Sequence, residues 1–231
     1  MEKIILPLGS YEKILSQLEK WKVLSLKDLC TMMANQVGYK GLSKQIKKLE
    51  EQGFVSSLII QDKSKFLYLT NKGVTVTAGG VSYDKSEENL NHDLKCSLVL
   101  REFIKYKNFI DGQMLDDRSD RISPDAKIVA KKNNNEYVLA LELELNQKSK
   151  DRIKEKFKKY SSNDAYSYVL YVFQKPEVMS TYSKILGGMS NEIQNKIILL
   201  LDANLSIFKF DYELADCFFK GEHRNFESIF G

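Results

Sequence analysis

Two stretches, Ser-Pro-Asp-Ala-Lys-Ile-Val-Ala at 123–130 and Leu-Ala-Leu-Glu-Leu-Glu-Leu at 139–145, flank the cluster Asn133-Asn134-Asn135 and alternate apolar with polar side chains. Asparagine tolerates the left-handed backbone that a tight hairpin needs, so the pattern predicts two antiparallel strands. Pairing Lys132 with Tyr137 puts Asp125 opposite Glu144 and Lys127 opposite Glu142. Strand side chains alternate faces, so Glu142 and Glu144 share one face while Leu141, Leu143 and Leu145 share the other. Three carboxylates are thereby expected to converge on one side of a sheet. Like charges crowded along and across strands repel unless something cationic sits between them. A divalent ion could do this, and so could Lys127, in which case the segment is an ordinary amphipathic strand with one wet face.

The chain has 231 residues, 43% of them hydrophobic, enough for one large or two modest domains. Its formal charge of +4 and pI of about 8.7 permit an anionic partner without demanding one. The excess is uneven: residues 1–80 hold twelve lysines against seven acids. Cys30, Cys96 and Cys217 are few and widely spaced, as suits reduced core thiols in a cytoplasmic protein. With His92 and His223 the only histidines, no zinc set can be assembled. The opening Met-Glu-Lys-Ile-Ile-Leu-Pro-Leu is too short and wrongly charged for a signal peptide, and no apolar run is long enough to span a membrane.

In the N-terminal third, Ser10 opens a helical pattern that places Ile14, Leu15, Leu18 and Trp21 on one face. Ser25 with Asp28 resembles a capping box for a second, short helix reaching Met32-Met33. Leu42, Ile46 and Leu49 mark the buried stripe of a third helix from Tyr39 to Gln52, which Gly53 ends. An apolar strand at 54–60, a turn at Asp62-Lys63-Ser64 and a strand at 66–70 follow. Three helices and a hairpin predict a winged helix-turn-helix over residues 1–76. Lys40, Lys44, Lys47 and Lys48 lie opposite the apolar stripe, where they could face phosphates. Tyr39, Ser43 and Gln45 could reach base edges, and Lys63 and Lys65 at the wing could touch flanking backbone. The segment Phe-Leu-Tyr-Leu-Thr-Asn-Lys-Gly at 66–73 resembles the close of the wing in bacterial winged-helix regulators.

Residues 77–88, rich in Gly, Ser and charge, read as a linker. Beyond it, residues 89–231 predict an α/β domain with a mixed central sheet flanked by helices. The expected order is a helix to about Tyr106, an irregular charged stretch at 111–123, the acidic hairpin, a lysine-rich helix at 147–161, a strand at 168–173, a helix at 176–186 and a strand at 196–201. Residues 204–210 are expected to form an edge strand before an irregular aromatic tail.

Carboxylates clustered on a sheet can hold Mg2+ or Mn2+, which activates water and stabilises the pentacovalent phosphate of a phosphodiester being cut. At this point the residues resemble the PD-(D/E)xK nuclease superfamily, with Pro124-Asp125 standing for its first motif and Glu142-Leu143-Glu144 for its second. The resemblance implies that Asp125 and Glu142 bind the metal while Glu144 ligates it or orients the attacking water. The usual lysine of the second motif is replaced by Glu144. Lys148, Lys150 or Lys156 of the following helix could supply it, and nothing in the sequence picks one. Glu102 on the preceding helix is a further acid in reach. The winged helix, Asn-His-Asp-Leu, Pro-Asp-Ala, Leu-Glu-Leu-Glu and Lys-Phe-Lys-Lys-Tyr together resemble the replication-relaxation family of plasmid, phage and mobile-element proteins.

These readings imply a protein that binds double-stranded DNA and carries a nuclease-like domain, with metal-dependent cleavage as its activity. The competing expectation is a non-catalytic replication or transcription regulator whose second domain dimerises or docks a partner. Palindromic recognition would imply a homodimer, yet no heptad or exposed apolar helix face announces one.

Overall fold

The computed structural model describes residues 9–60, 63–77, 87–115, 122–133 and 135–231, the side chains of 87 and 88 excepted. Most of the linker expected at 77–88, part of the charged stretch before the hairpin, Asp62 of the wing turn and Asn134 lie outside the described residues. The chain forms two compact units, Met1–Ser97 and Leu98–Gly231.

In the first unit, α1 (Ser10–Trp21), β1 (Val23–Ser25), α2 (Leu26–Met33), α3 (Tyr39–Glu51), β2 (Val55–Ile60), β3 (Ser64–Leu69) and α4 (Asn71–Val74) follow in order. The three strands make an antiparallel sheet in the order β1-β3-β2. This is the topology of a winged helix, with β2 and β3 as the wing. Ile14, Leu15, Leu18 and Trp21 of α1 and Leu42, Ile46 and Leu49 of α3 are all buried, because each set recurs at helical spacing and forms one stripe. The Ser25 hydroxyl accepts the Asp28 amide at 2.9 Å, capping α2. Gly53 takes φ +74, a left-handed turn that suits glycine at the end of α3. The short β1, which the sequence reading passed over, needs only Val23–Ser25 because β3 offers it a free edge.

α5 (Glu87–Phe103) contains the division between the units, which falls after Ser97. Composition would set the boundary earlier, at the Gly- and Ser-rich residues. The first part of α5 groups with the first unit because the Ser97 hydroxyl donates to the Val23 carbonyl at 2.9 Å and Lys22 pairs with Asp93 at 2.8 Å.

The second unit continues with β4 (Phe109–Met114), β5 (Ala126–Lys132), β6 (Asn135–Glu144), α6 (Lys150–Ser161), β7 (Tyr168–Phe173), α7 (Pro176–Gly187), α8 (Asn191–Gln194), β8 (Ile197–Leu201), β9 (Asp216–Phe219), β10 (Glu222–Arg224) and α9 (Phe226–Phe230). Its seven strands are ordered β10-β9-β8-β7-β6-β5-β4. The sheet is mixed: β6, β7 and β8 run parallel, and the flanking pairings are antiparallel. Tyr168–Phe173 and Ile197–Leu201 are nearly continuous apolar runs, as strands covered on both faces require. One face packs Ala140, Tyr171, Phe173 and Leu199 against Ile153 and Phe157 of α6 and Tyr182 of α7.

Three expectations are corrected. Residues 109–114, four of the six in the stretch read as irregular, form the edge strand β4, whose Asp111-Gly112-Gln113 hid the pattern. Residues 204–210 form turns instead of a strand, and the aromatic tail supplies the β9–β10 hairpin. The acidic hairpin pairs Lys132 with Asn135 and Lys127 with Ala140, two positions away from the register inferred above. The loop is tighter than three asparagines suggest, with Asn133 at φ +51. A shift of two keeps every side chain on its face, whereas a shift of one would have reversed them.

A Cβ at Gly73 would collide with the Phe54 carbonyl oxygen. Gly73→Ala is therefore expected to destabilise the first unit by about 1–3 kcal/mol, the usual cost of overpacking. Urea denaturation of the full chain checks this, and an unchanged midpoint would contradict the close approach.

Candidate functional site

Two surfaces bear on function, one in each unit. In the first, Lys40, Lys44, Lys47 and Lys48 are all exposed on α3, and Tyr39 at its start is 58% exposed. Lys40, Lys44 and Lys48 have no ion pair among the described residues. Lys47 lies 3.8 Å from Glu51, a largely exposed pair of little energetic weight. Ser43 is half-buried, and Lys63 is exposed beside the wing turn at φ +59. Two residues behave differently from expectation. Gln45 turns onto α1, where its amide donates to the Ser10 hydroxyl at 2.8 Å, so it is not offered to bases. Lys65 is held by Glu50 of α3 at 2.8 Å, with Ser57 donating to the same carboxylate, so its charge is neutralised by the helix against which the wing packs.

In the second unit, the hairpin brings Asp125 beside β6. The β5–β6 pairing ends at Ala126 and Leu141, and just beyond it Asp125 Oδ2 accepts the Leu143 N–H at 2.7 Å. Glu142 and Glu144 point to the face covered by α6, and only 2% and 4% of their surfaces are exposed. That face is dry, not wet as alternation alone would have it.

Among the three candidate lysines, Lys156 is the one that reaches the acids. Its Nζ lies 2.6 Å from Glu142 Oε2 and 3.9 Å from Glu144 Oε1. The Tyr160 hydroxyl donates to the other oxygen of Glu142, and Tyr182 stands beside Glu144. Lys148 lies close enough to Glu144 to favour its charged form. It lines a cavity of about 20 Å3 together with Glu144, Arg152, Lys156, Tyr171 and Tyr182, the size of a single water. Lys150 is exposed at the first position of α6, away from that cavity. Lys127 faces Ala140 and does not neutralise Glu142. Glu102 is engaged by Lys105 at 2.6 Å. The buried Tyr171 hydroxyl has no hydrogen-bond partner among the described residues.

The sequence did carry a signal for Lys156. Ile153, Phe157 and Tyr160 are the buried stripe of α6, and Lys156 stands three residues after the first and four before the last, so it borders the buried side.

Burial is the main cause that lifts Glu142 to about 8, and Asp125 adds to it, while Lys156 and Tyr160 work the other way. Glu144 is raised as well, again chiefly by burial. For Lys156, burial opposes the charge, but Glu142, Asp125 and Glu144 outweigh it and the ammonium is held more firmly than usual. The cluster is thus three carboxylates and one lysine in a poorly solvated place. In this arrangement the donor set does not fit a divalent ion, since both Glu142 oxygens are taken and the ammonium stands among the acids. Among the described residues no group of three or more His, Cys, Asp or Glu side chains is arranged to hold a metal.

No protein-family description matches the sequence, and no curated protein does. Among solved structures, the chain is similar to a mutant MarR from E. coli complexed with operator DNA, at 19% identity and a TM-score of 0.28, covering 30% of this chain and 50% of that one. It is also similar to the restriction endonuclease FokI, bound to DNA and unbound. Both of these have 12% identity and a TM-score of 0.27, with 77% of this chain and 40% of that one covered. The chain therefore spans half or less of the structures it matches. No helix among the described residues is long and apolar enough to cross a membrane.

Replacing Lys156 with Met leaves Glu142 buried without its cation, a change that costs about 3–5 kcal/mol when the acid stays ionised. A carboxylate with a raised folded pKa favours folding fully below its ordinary value of 4.5, and that contribution is lost as pH rises through about 8. The penalty of Lys156→Met is accordingly expected to be small and flat from about pH 5 to 7, where Glu142 is protonated with or without its cation, and to grow as pH rises through and above about 8. Denaturant titrations across that window check it, and a pH-independent penalty would refute the coupling.

Proposed function

We propose that this protein binds double-stranded DNA through α3 and the wing of its first unit, with its second unit a nuclease-fold domain. The observation that carries this reading is the exposed row Lys40, Lys44 and Lys48 on the helix that a winged helix presents to a groove, on the side opposite its buried stripe. Phosphates would take the lysines, and Tyr39, at the start of the same helix, would reach toward bases. Lys63 at the wing would meet flanking backbone. The order helix, three antiparallel strands, helix, parallel strand in the second unit, from α5 to β7, supports the nuclease lineage. It is in keeping with the motif resemblance to replication-relaxation proteins of mobile elements.

On this reading Lys156 serves as the counterion of the acid cluster, and the second unit acts as a regulator's partner domain without catalysis. Anisotropy with a labelled duplex tests the DNA contact. Lys40→Ala, Lys44→Ala and Lys48→Ala are each expected to weaken binding at low salt and to lower the slope of log affinity against log salt by about 1. Unchanged affinity and slope in the triple variant would remove α3 from the interface.

A second reading is favoured by one observation: Lys156 supplies beside Glu142 and Glu144 the lysine that the second motif lacks. The domain would then cleave DNA with Mg2+ or Mn2+, which requires Lys156 or Tyr160 to release Glu142. Plasmid nicking by the wild type in either ion, abolished by Asp125→Ala, would establish it. Equal behaviour of the two proteins would leave the regulator.

A further inference from the structure

The face of the second sheet that turns away from the acids holds an open pocket of about 320 Å3. Alternation and register fix its floor. Tyr168, Ile198 and Phe219 share one face across β7, β8 and β9, with Leu139 of β6 beside Tyr168. Tyr137 of β6 stands two residues before Leu139 on the same face. Its ring meets that of Tyr168 edge-on at 6.0 Å, and Tyr168 meets Phe219 in the same manner at 6.1 Å. Ile229 and Phe230 of α9 close one side. That helix is fixed by Tyr106 and Lys107, which bond Glu227 at 2.7 and 2.8 Å, and by the Asn108 amide, which donates to the Phe230 carbonyl at 2.6 Å.

The rim has a different chemistry. Lys132 and Asn135, the paired residues that close the β5–β6 hairpin, line the pocket, and neither side chain has a hydrogen-bond or ion-pair partner among the described residues. Lys220, in the β9–β10 turn, holds its ammonium 5.2 Å from the centre of the Phe219 ring. Among the described residues no acid lines the pocket. Flat aromatic walls, one amide and the Lys132 cation, with no acid on the lining, select a ligand that is aromatic, hydrogen-bonding at its edge and negatively charged. The volume lies at the small end of small-molecule sites.

We propose that this pocket binds a nucleotide, the base against Tyr168 and Phe219 and the phosphate toward Lys132. The site belongs to the second unit alone and lies on the opposite side of the sheet from Glu142. The same chemistry is offered by a free mononucleotide and by an unpaired nucleotide of a strand.

Calorimetry of the full chain with AMP, adenosine, inorganic phosphate and indole tests the assignment. Saturable AMP binding is expected, at least about tenfold tighter than that of adenosine or indole, because only AMP uses both the walls and the rim. Lys132→Ala, an exposed change, should weaken AMP about tenfold and leave adenosine unaltered. Phe219→Leu, checked by an unchanged melting profile, should weaken both. Displacement of AMP by a single-stranded dA hexamer would assign the strand as source, and lack of displacement the free nucleotide. Absence of saturable AMP binding at millimolar concentration, equal binding of indole, or indifference to Lys132→Ala would overturn the proposal.

Discussion

The contact between Lys156 and Glu142 is the constraint around which the buried acid of the second unit is arranged. A carboxylate with 2% of its surface exposed, in the middle of a sheet, is tolerable only with a cation and hydrogen bonds at hand. α6 supplies both, Lys156 and Tyr160, from one turn of helix, and α7 sets Tyr182 beside Glu144. Layering α6 and α7 over this face of the sheet thus serves the acids as much as it serves Phe157 and Phe173. The arrangement also separates the faces of β6 in character. Glu142 and Glu144 look into a polar enclave within an apolar layer, while Leu141 and Leu143 belong to a plain core.

Much of this was legible in the residues. Helical stripes such as Ile14, Leu15 and Leu18, and Leu42, Ile46 and Leu49, were plain because three or four apolar residues repeat at a fixed spacing with polar ones between. The runs at 168–173 and 197–201 were plain because few other segments are so uniformly apolar. Alternation puts the acids on the right face even with the hairpin register two residues out, since the pleat has period two and such a shift leaves facing unchanged.

The rest was hidden for identifiable reasons. β4 is an edge strand with Asp111, Gly112 and Gln113 in sequence, and edge strands need no apolar alternation. The β9–β10 hairpin turns at Lys220 and Gly221, both with positive φ, and lysine is not a residue that announces such a turn. Lys156 was one of three lysines in play because a basic helix looks the same from every side until its buried stripe is used to orient it. Gln45 and Lys65 were given to an outer surface because pattern alone does not reveal a neighbour such as Ser10 or Glu50 that claims them first.

The attachment of α5 bears on how this molecule can be dissected. A truncation after residue 86, where glycines and serines invite a cut, would deprive the β1 edge of the hydroxyl of Ser97 and leave Lys22 without Asp93. A fragment reaching to Ser97 retains both, so a winged helix that keeps its own contacts is longer than its sequence motif.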